Sequence, residues 1–162
     1  MLLQILSKEK LFQGKFMKLW GTKFLDKSGK EQLWEWISKK DVVAILPFTK
    51  EGELILIKSF RVPIEGYCIE TPAGLLDKPD ENKEDAARRE LLEETGYKAG
   101  EIVAFPPFWN TPGNMNNQVY PFVALNVEKI SDIHGDDTED IEVIKIPHTE
   151  LFDLYEKSEE TG

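Results

Sequence analysis

The segment from Asn82 to Gly96 constrains the fold most, because both of its ends specify the same element. Asn82 is a favoured helix N-cap residue, and Asp85 follows it three residues later. Gly96 suits the left-handed position at which many helices end. The sequence therefore predicts a helix that begins after Asn82 and ends at Gly96.

Three glutamates share one face of this predicted helix. At about 100° per residue, Glu90, Glu93 and Glu94 fall within about a third of its circumference. Carboxylates placed in this way repel one another unless a cation compensates them, and they are oxygen ligands that Mg²⁺ prefers. Arg89 lies four residues before Glu93 and can pair with it. A solvated acidic face held by such pairs is the alternative, and the helix alone does not exclude it.

Most of the remaining chain has the pattern of strands. The turn signal Asp26-Lys27-Ser28-Gly29 separates two strand-like stretches, residues 11–25 and 31–37, which predicts a hairpin. Further strands are predicted at Val42–Phe48, Glu53–Ser59, Cys68–Thr71, 99–105, 119–127 and 142–146, and a last helix at about 149–157. Many strands with two interspersed helices predict an α/β fold in which helices cover a mixed sheet.

Composition argues against several functional classes. Twenty Lys and Arg against thirty Asp and Glu give a net charge of −10, which argues against binding to nucleic acid or anionic membranes. A phosphate substrate would be repelled by such a protein unless divalent cations took part. The single cysteine, Cys68, excludes an intrachain disulfide and is typical of a cytoplasmic protein. No apolar run approaches the length of a membrane span, so we expect a soluble single domain over residues 1–162.

The residues around the helix resemble a known motif. Gly74-Leu-Leu-Asp-Lys-Pro-Asp-Glu81, followed after seven residues by Arg89-Glu90-Leu91-Leu92-Glu93-Glu94-Thr95-Gly96-Tyr97, is similar to the box of the Nudix hydrolases. The chain departs from that pattern at one point, because six residues instead of five separate Gly74 from Glu81. Either the loop contains one extra residue before Glu81, or Asp80 takes the acidic position of the motif.

A second resemblance indicates one branch of that family. Ser59-Phe60-Arg61-Val62-Pro63 and Glu70-Thr71-Pro72-Ala73-Gly74 look like segments of the ADP-sugar pyrophosphatases. The resemblance implies that Arg61 contacts the phosphates of the substrate, for which a planar guanidinium is suited. It also implies a metal shell formed by Glu70, the carbonyl group of Ala73, and Glu90, Glu93 and Glu94. The alternative role for Arg61 is that of a surface residue with an ion-pair partner.

Two further features favour ADP-ribose as the substrate. Thr111-Pro112-Gly113 resembles a turn of the ADP-ribose subgroup, which implies that Pro112 lies at the substrate, although Pro-Gly is also common in ordinary turns. Trp34 and Trp36 share one face of a strand. The resemblance implies that an aromatic residue of this region stacks on adenine, partly across a dimer interface. Packing within the hairpin is the alternative for both tryptophans.

The segment from Asp136 to Val143 resembles the acidic loop that supplies the catalytic base in this subgroup. Glu139 matches best, and Asp137, Asp140 and Glu142 compete with it. A plain acidic surface loop is the alternative.

The resemblance as a whole implies a Nudix-type α/β/α sandwich, with strands in residues 1–40 available for a homodimer. It implies two or three Mg²⁺ ions, which Mn²⁺ can replace, and it groups Arg89 and Glu93 with Glu139 as catalytic residues. The predicted reaction is hydrolysis of the pyrophosphate of a nucleoside diphosphate sugar, ADP-ribose before others. The alternatives are another nucleotide sugar such as GDP-mannose, a nucleoside triphosphate, or a ligand sensor without catalysis.

Overall fold

The chain divides into two compact units in the computed structural model, which describes residues 3–133, 140–153 and 156. The first unit contains the residues up to Asp41 together with Pro107–Val119. The second unit contains Val42–Pro106 and the chain from Tyr120 onward. The predicted helix and most of the predicted strands lie in the second unit.

The described residues form mainly strands. In chain order these are β1 (Gln4–Gln13), β2 (Lys18–Leu25), β3 (Glu31–Ser38), β4 (Val42–Phe48), β5 (Glu53–Arg61), β6 (Gly66–Glu70), β7 (Ala73–Leu75), β8 (Tyr97–Lys98), β9 (Glu101–Ala104), β10 (Phe108–Trp109), β11 (Gln118–Leu125), β12 (Glu128–Lys129) and β13 (Ile141–Pro147). The helix α1 spans Lys83–Thr95, and 3-10 turns cover Val62–Ile64 and His148–Glu150.

The first unit is built on the antiparallel sheet β1-β2-β3. The predicted hairpin is confirmed as β2 and β3, whose turn is closed by Asp26, because its Oδ1 accepts hydrogen bonds from the N–H groups of Ser28 and Lys30. The predicted arm over residues 11–25 is interrupted, however. The chain reverses where the N–H of Gly14 donates to the carbonyl of Met17 at 2.8 Å, and the residues before it form the separate strand β1.

The sheet of the second unit has the strand order β11-β4-β5-β13, with β6 on β5, β7 on β4 and β9 on β11. Strand β4 alternates between buried and half-buried residues, as a strand with one face on the core should. Its Val43 and Ile45 pack in the core with Leu91 of α1 and Phe122 of β11. Burying side chains of this size stabilises the fold by about 1.5–3 kcal/mol each, and the contact fixes α1 over β4 and β7.

The predicted helix ends are confirmed. The side chain of Asn82 accepts a hydrogen bond of 2.9 Å from the N–H of Asp85, and Gly96 ends the helix at φ 74°. Gly96 is also required by packing, because a Cβ here would lie 2.1 Å from the carbonyl oxygen of Ser131. The helix is therefore held at both ends, which fixes the rotation of its glutamate face.

The second predicted helix is described in part. The 3-10 turn His148–Glu150 leads into helical residues at 151–153, and most of the chain after 153 lies outside the described residues. Within the described ranges, no helix has the length and apolar character that crossing a membrane requires.

Candidate active site

The glutamates of α1 lie against the backbone of β7. The carboxyl group of Glu90 is so close to Gly74 that a Cβ on this glycine would lie 1.9 Å from its carboxyl carbon. A side chain at position 74 would therefore displace Glu90. Glu94 is buried, and its Oε2 accepts a hydrogen bond of 2.9 Å from the N–H of Ala73. The helix face and the Ala73–Gly74 backbone thus form one site.

One arginine holds three carboxylates of this site. Arg89, whose side chain is 18% exposed, donates to Glu81 through Nε at 2.8 Å and through Nη2 at 3.0 Å. Its Nη1 donates to Glu90 at 2.7 Å and to Glu93 at 2.8 Å. These hydrogen bonds, those to Glu81 above all, raise the pKa of the guanidinium, so Arg89 stays charged. The predicted pairing of Arg89 with Glu93 is confirmed.

The structure distinguishes between the two acids that compete for one motif position. Glu81 has a side chain that is 15% exposed, and its hydrogen bonds with Arg89 lower the pKa of its carboxyl group. Asp80 is exposed, and its φ of 65° lies in the left-handed region. Glu81 therefore takes the acidic position, and the extra residue is accommodated in the loop before it.

Burial raises the pKa of the Glu90 carboxyl group, and Arg89 opposes this effect by stabilising the charged form. The site is nevertheless short of positive charge. Glu81, Glu90 and Glu93 share one arginine, and the only further cation paired with them in the described residues is Lys78, whose Nζ lies 4.0 Å from Glu93. A cation bound on the open side of this cluster would offset the remaining repulsion.

A second arginine pairs with another predicted metal ligand. On the hairpin of β5 and β6, Arg61 donates to Oε2 of Glu70 through Nε at 2.8 Å and through Nη2 at 2.5 Å. Arg61 therefore has the ion-pair partner that the alternative role requires. Its partner is itself a predicted site residue, so the pair belongs to the candidate site.

The candidate bases divide into two groups. Glu139 and Asp137 lie outside the described residues. Asp140 accepts a hydrogen bond of 2.5 Å from the hydroxyl group of Tyr67, and Glu142 lies 3.5 Å from Nζ of Lys58. The sequence analysis missed Tyr67, since nothing local marks a contact with a residue 73 positions away.

The arrangement can be tested for its fit to a metal ion. Among the residues that the structure describes, no three His, Cys, Asp or Glu side chains converge closely enough to hold one. In this structure Arg89 pairs with Glu90 and Glu93, and Arg61 pairs with Glu70. The donor set still suits a divalent cation, because buried glutamates and backbone carbonyls are hard oxygen ligands and carboxylates exceed cations here.

The first unit brings together the other predicted substrate residues. Trp34, Trp36 and Pro112 line one cavity of about 530 Å³, with residues of β1 and β2 on its other sides. Trp36 stacks on Trp20 at 5.8 Å between ring centroids, so the packing alternative holds for Trp36. Trp34 is 53% exposed and donates from Nε1 to the carbonyl of Gly113 at 2.7 Å. This hydrogen bond fixes its ring beside the predicted turn.

Comparison with known proteins gives consistent matches. Residues 38–161 match the model of the NUDIX domain. The chain is 34% identical to ADP-ribose pyrophosphatase of Bacillus subtilis over 155 residues, which cover 95% of this chain and 83% of that protein. It is 33% identical to ADP-sugar pyrophosphatase of Mus musculus, over 91% of this chain and 75% of that protein. It is also 33% identical to GDP-mannose pyrophosphatase of Pectobacterium atrosepticum, over 75% of this chain and 66% of that protein.

A solved structure gives an independent match. The crystal structure of an ADP compounds hydrolase superimposes with a TM-score of 0.84 at 25% sequence identity, over 95% of this chain and 83% of that chain. The predicted fold class is thereby confirmed.

The assignment of Glu81 leads to a test of stability. Glu81→Gln removes the charge that two donors of Arg89 share, so we expect the melting temperature to fall by about 3 °C or more. Asp80→Asn, the matched control one residue away, should change it by less than about 1 °C. Thermal unfolding followed by circular dichroism measures both. An equal fall in the two variants would contradict the assignment.

Proposed function

The chain belongs to the NUDIX domain family, and from that premise we propose that it hydrolyses the pyrophosphate bond of nucleoside diphosphate sugars, ADP-ribose before others. The products would be AMP and a sugar phosphate. The observation that carries the proposal is the contact of Glu90 and the buried Glu94 of α1 with the backbone of Gly74 and Ala73. A GDP-sugar is the main alternative, because a GDP-mannose pyrophosphatase is among the relatives.

Enzymes of this family use divalent metal ions, and for this chain we propose Mg²⁺, which Mn²⁺ can replace. The residues that would hold it are Glu70, Glu90, Glu93, Glu94 and the carbonyl group of Ala73. When bound, such an ion neutralises the pyrophosphate and lowers the pKa of an attacking water. Glu90 and Glu94 are already positioned by the backbone of β7. Glu70 would exchange Arg61 for the ion, whereas Glu93 would keep Arg89 on Oε2 and bind the ion through Oε1.

The two arginines have different tasks in this proposal. Arg89 stays on the protein side, where it orients Glu90 and Glu93 and is itself fixed by Glu81. Arg61 is half-exposed at the end of β5, so its guanidinium is within reach of solvent and of a bound anion. We assign Arg61 to the phosphates, because its planar fork can donate to two phosphate oxygens at once.

We assign the role of general base to Glu139. The described competitors have other partners: Asp140 accepts a hydrogen bond from the hydroxyl group of Tyr67, and Glu142 pairs with Lys58. The hydroxyl group of Tyr67 occupies Oδ2 of Asp140, which leaves fewer lone pairs of this carboxylate for an attacking water. Glu139 also matches the family pattern best, with Asp137 as the remaining competitor.

The cavity of the first unit is the proposed site of the nucleobase. Its volume of about 530 Å³ lies in the range of small-molecule sites. The half-exposed ring of Trp34 offers an apolar face of fixed orientation, on which a purine would stack.

We also propose that β1 pairs with a second copy of the chain. Every residue of this ten-residue strand is exposed. Its large apolar side chains include Ile5 at 56% and Phe12 at 63% exposure. A long edge strand that exposes large apolar side chains is typically covered by a partner.

The first prediction from this proposed function concerns substrate and metal. With millimolar Mg²⁺, ADP-ribose should be hydrolysed with a kcat/KM at least about tenfold above those of GDP-mannose and ATP, and EDTA should abolish the activity. Chromatographic quantification of the nucleoside monophosphate product measures all three substrates, with and without EDTA. Trp34→Ala should raise KM for ADP-ribose more than it lowers kcat. Undiminished turnover in EDTA, or the absence of turnover on every nucleotide sugar, would refute the proposal.

The second prediction concerns the base. Glu139→Gln should lower kcat by about 10²–10⁴-fold with little change in KM, because it keeps the size of the side chain and removes its basicity. Asp140→Asn is the matched control and should lower kcat by less than about tenfold. If the control loses more activity than Glu139→Gln, the base is Asp140.

The third prediction concerns assembly. Light scattering should give twice the mass of one chain, and Phe12→Lys should weaken the dimer by at least about tenfold, because it places a charge in an apolar interface. Lys27→Ala, in the turn between β2 and β3, should leave the mass unchanged. A monomeric wild-type protein would rule out this arrangement.

A further inference from the structure

The cavity of the first unit has few polar side chains with which it could recognise a nucleoside. The indole N–H groups of Trp34 and Trp36 both donate within the unit, at 2.7 and 2.9 Å. Thr22 accepts the second of these hydrogen bonds and is buried. The other polar side chains that line the cavity are those of Lys8 and Asn116. Within the described part of the chain, only Asn116 of these two is held by a hydrogen bond.

A backbone N–H group fixes the orientation of the Asn116 amide. Its Oδ1 accepts a hydrogen bond of 3.1 Å from the N–H of Lys39. Because a backbone N–H can only donate, the oxygen and not the nitrogen of the amide must face Lys39. The amide nitrogen is therefore directed away from Lys39, and its N–H donors have no acceptor among the described residues. Since Asn116 lines the cavity, a ligand there can use these donors.

The segment that contains Asn116 is bound along β3 and the residues that follow it. The N–H of Ile37 donates to the carbonyl of Asn114 at 2.8 Å, and the N–H of Gln118 donates to Oδ1 of Asp41 at 2.8 Å. Asn116 lies midway between these two contacts. Its side chain is thus positioned before a ligand binds, so that binding costs less ordering entropy.

From this arrangement we infer that Asn116 is a specificity-determining residue, whose Nδ2 donates a hydrogen bond to the nucleoside that stacks on Trp34. The inference rests on the proposed function. The acceptor is a ring nitrogen of the base or an oxygen of the ribose. Because an amide nitrogen donates and does not accept, a nucleoside without an acceptor at this point binds more weakly. Water hydrates the free amide, so the net gain is about fivefold in affinity.

The variant Asn116→Asp tests the donor and keeps the contact with Lys39. Its carboxylate can still accept from the N–H of Lys39, but it has no N–H to donate. The probe is adenosine, which is uncharged, so that no phosphate is repelled by the added charge. We expect Asn116→Asp to bind adenosine at least about tenfold more weakly than the wild-type protein, because an acceptor then faces an acceptor. Quenching of tryptophan fluorescence, excited where adenosine does not absorb, measures the affinity.

The matched control is Asn114→Asp, two residues earlier in the same segment. It makes the same change of charge at a position outside the residues that line the cavity, and it keeps the backbone carbonyl that accepts from Ile37. It should change the affinity for adenosine by less than about twofold, and both variants should melt within about 2 °C of the wild-type protein. Equal losses of affinity in the two variants would overturn the inference. Absence of measurable adenosine binding by the wild-type protein would overturn it as well.

Analogues of adenosine identify the acceptor and separate a direct contact from a structural effect. Each deazaadenosine lacks one ring nitrogen, and each deoxyadenosine lacks one ribose hydroxyl group. At least one analogue should bind the wild-type protein about fivefold more weakly than adenosine does, and this difference should vanish or reverse in Asn116→Asp. If Asn116→Asp loses the same affinity for adenosine and for every analogue, the role of Asn116 is structural and the inference is wrong.

These measurements involve neither metal nor turnover, so their failure is distinct from a failure of the substrate assay. If Asn116→Asp binds adenosine as tightly as the wild-type protein does, while the wild-type protein hydrolyses ADP-ribose, the inference fails and the proposed function stands. If no nucleotide sugar is hydrolysed, the proposed function fails whatever the affinity for adenosine.

Discussion

The close approach of α1 to β7 is the constraint on which the rest of the site depends. Gly74 leaves no space for a side chain between the strand and Glu90, and Glu94 reaches the N–H of Ala73 from the same face. Both contacts require the helix to keep its rotation and its position along the strand. The packing of Leu91 in the core and the two helix ends at Asn82 and Gly96 provide this. The packing of α1 on the sheet therefore positions the carboxyl groups of Glu90 and Glu94.

Two arginines compensate the mutual repulsion of the carboxylates in this site. Arg89 is largely buried, remains charged and stays bound to Glu81, so it acts as a permanent part of the protein. Arg61 is half-exposed and bound to Glu70, so its ion pair is open to exchange with solutes. Removing a partner from the first pair would leave a buried charge uncompensated, whereas opening the second requires little free energy. The same residue type thus serves as a fixed support in one place and as an exchangeable partner in the other.

Several features could be predicted from the sequence because their causes are local. The caps Asn82 and Gly96, the turn at Asp26 and the spacing of Glu90, Glu93 and Glu94 are all set within a few residues, and each is found as predicted. The interruption of the first strand at Gly14 was not predicted, although it is local, because apolar residues continue on both sides of this glycine. Whether Glu81 or Asp80 takes the acidic position of the motif also stayed open, because an inserted residue shifts the count of positions.

By itself, the sequence determined the family, the helix and the positions of the acids and arginines of the candidate site. Apart from the Arg89–Glu93 pair within α1, only the tertiary structure decided which of these groups pair. The contact between Tyr67 and Asp140 joins residues 73 positions apart, and that between Ala73 and Glu94 joins residues 21 apart. Such contacts depend on how strands and helix pack, because the direction of each side chain is set by its element and the distance between elements by the core. Spacing along the chain specifies the direction of a side chain within its element. It does not specify the distance between elements.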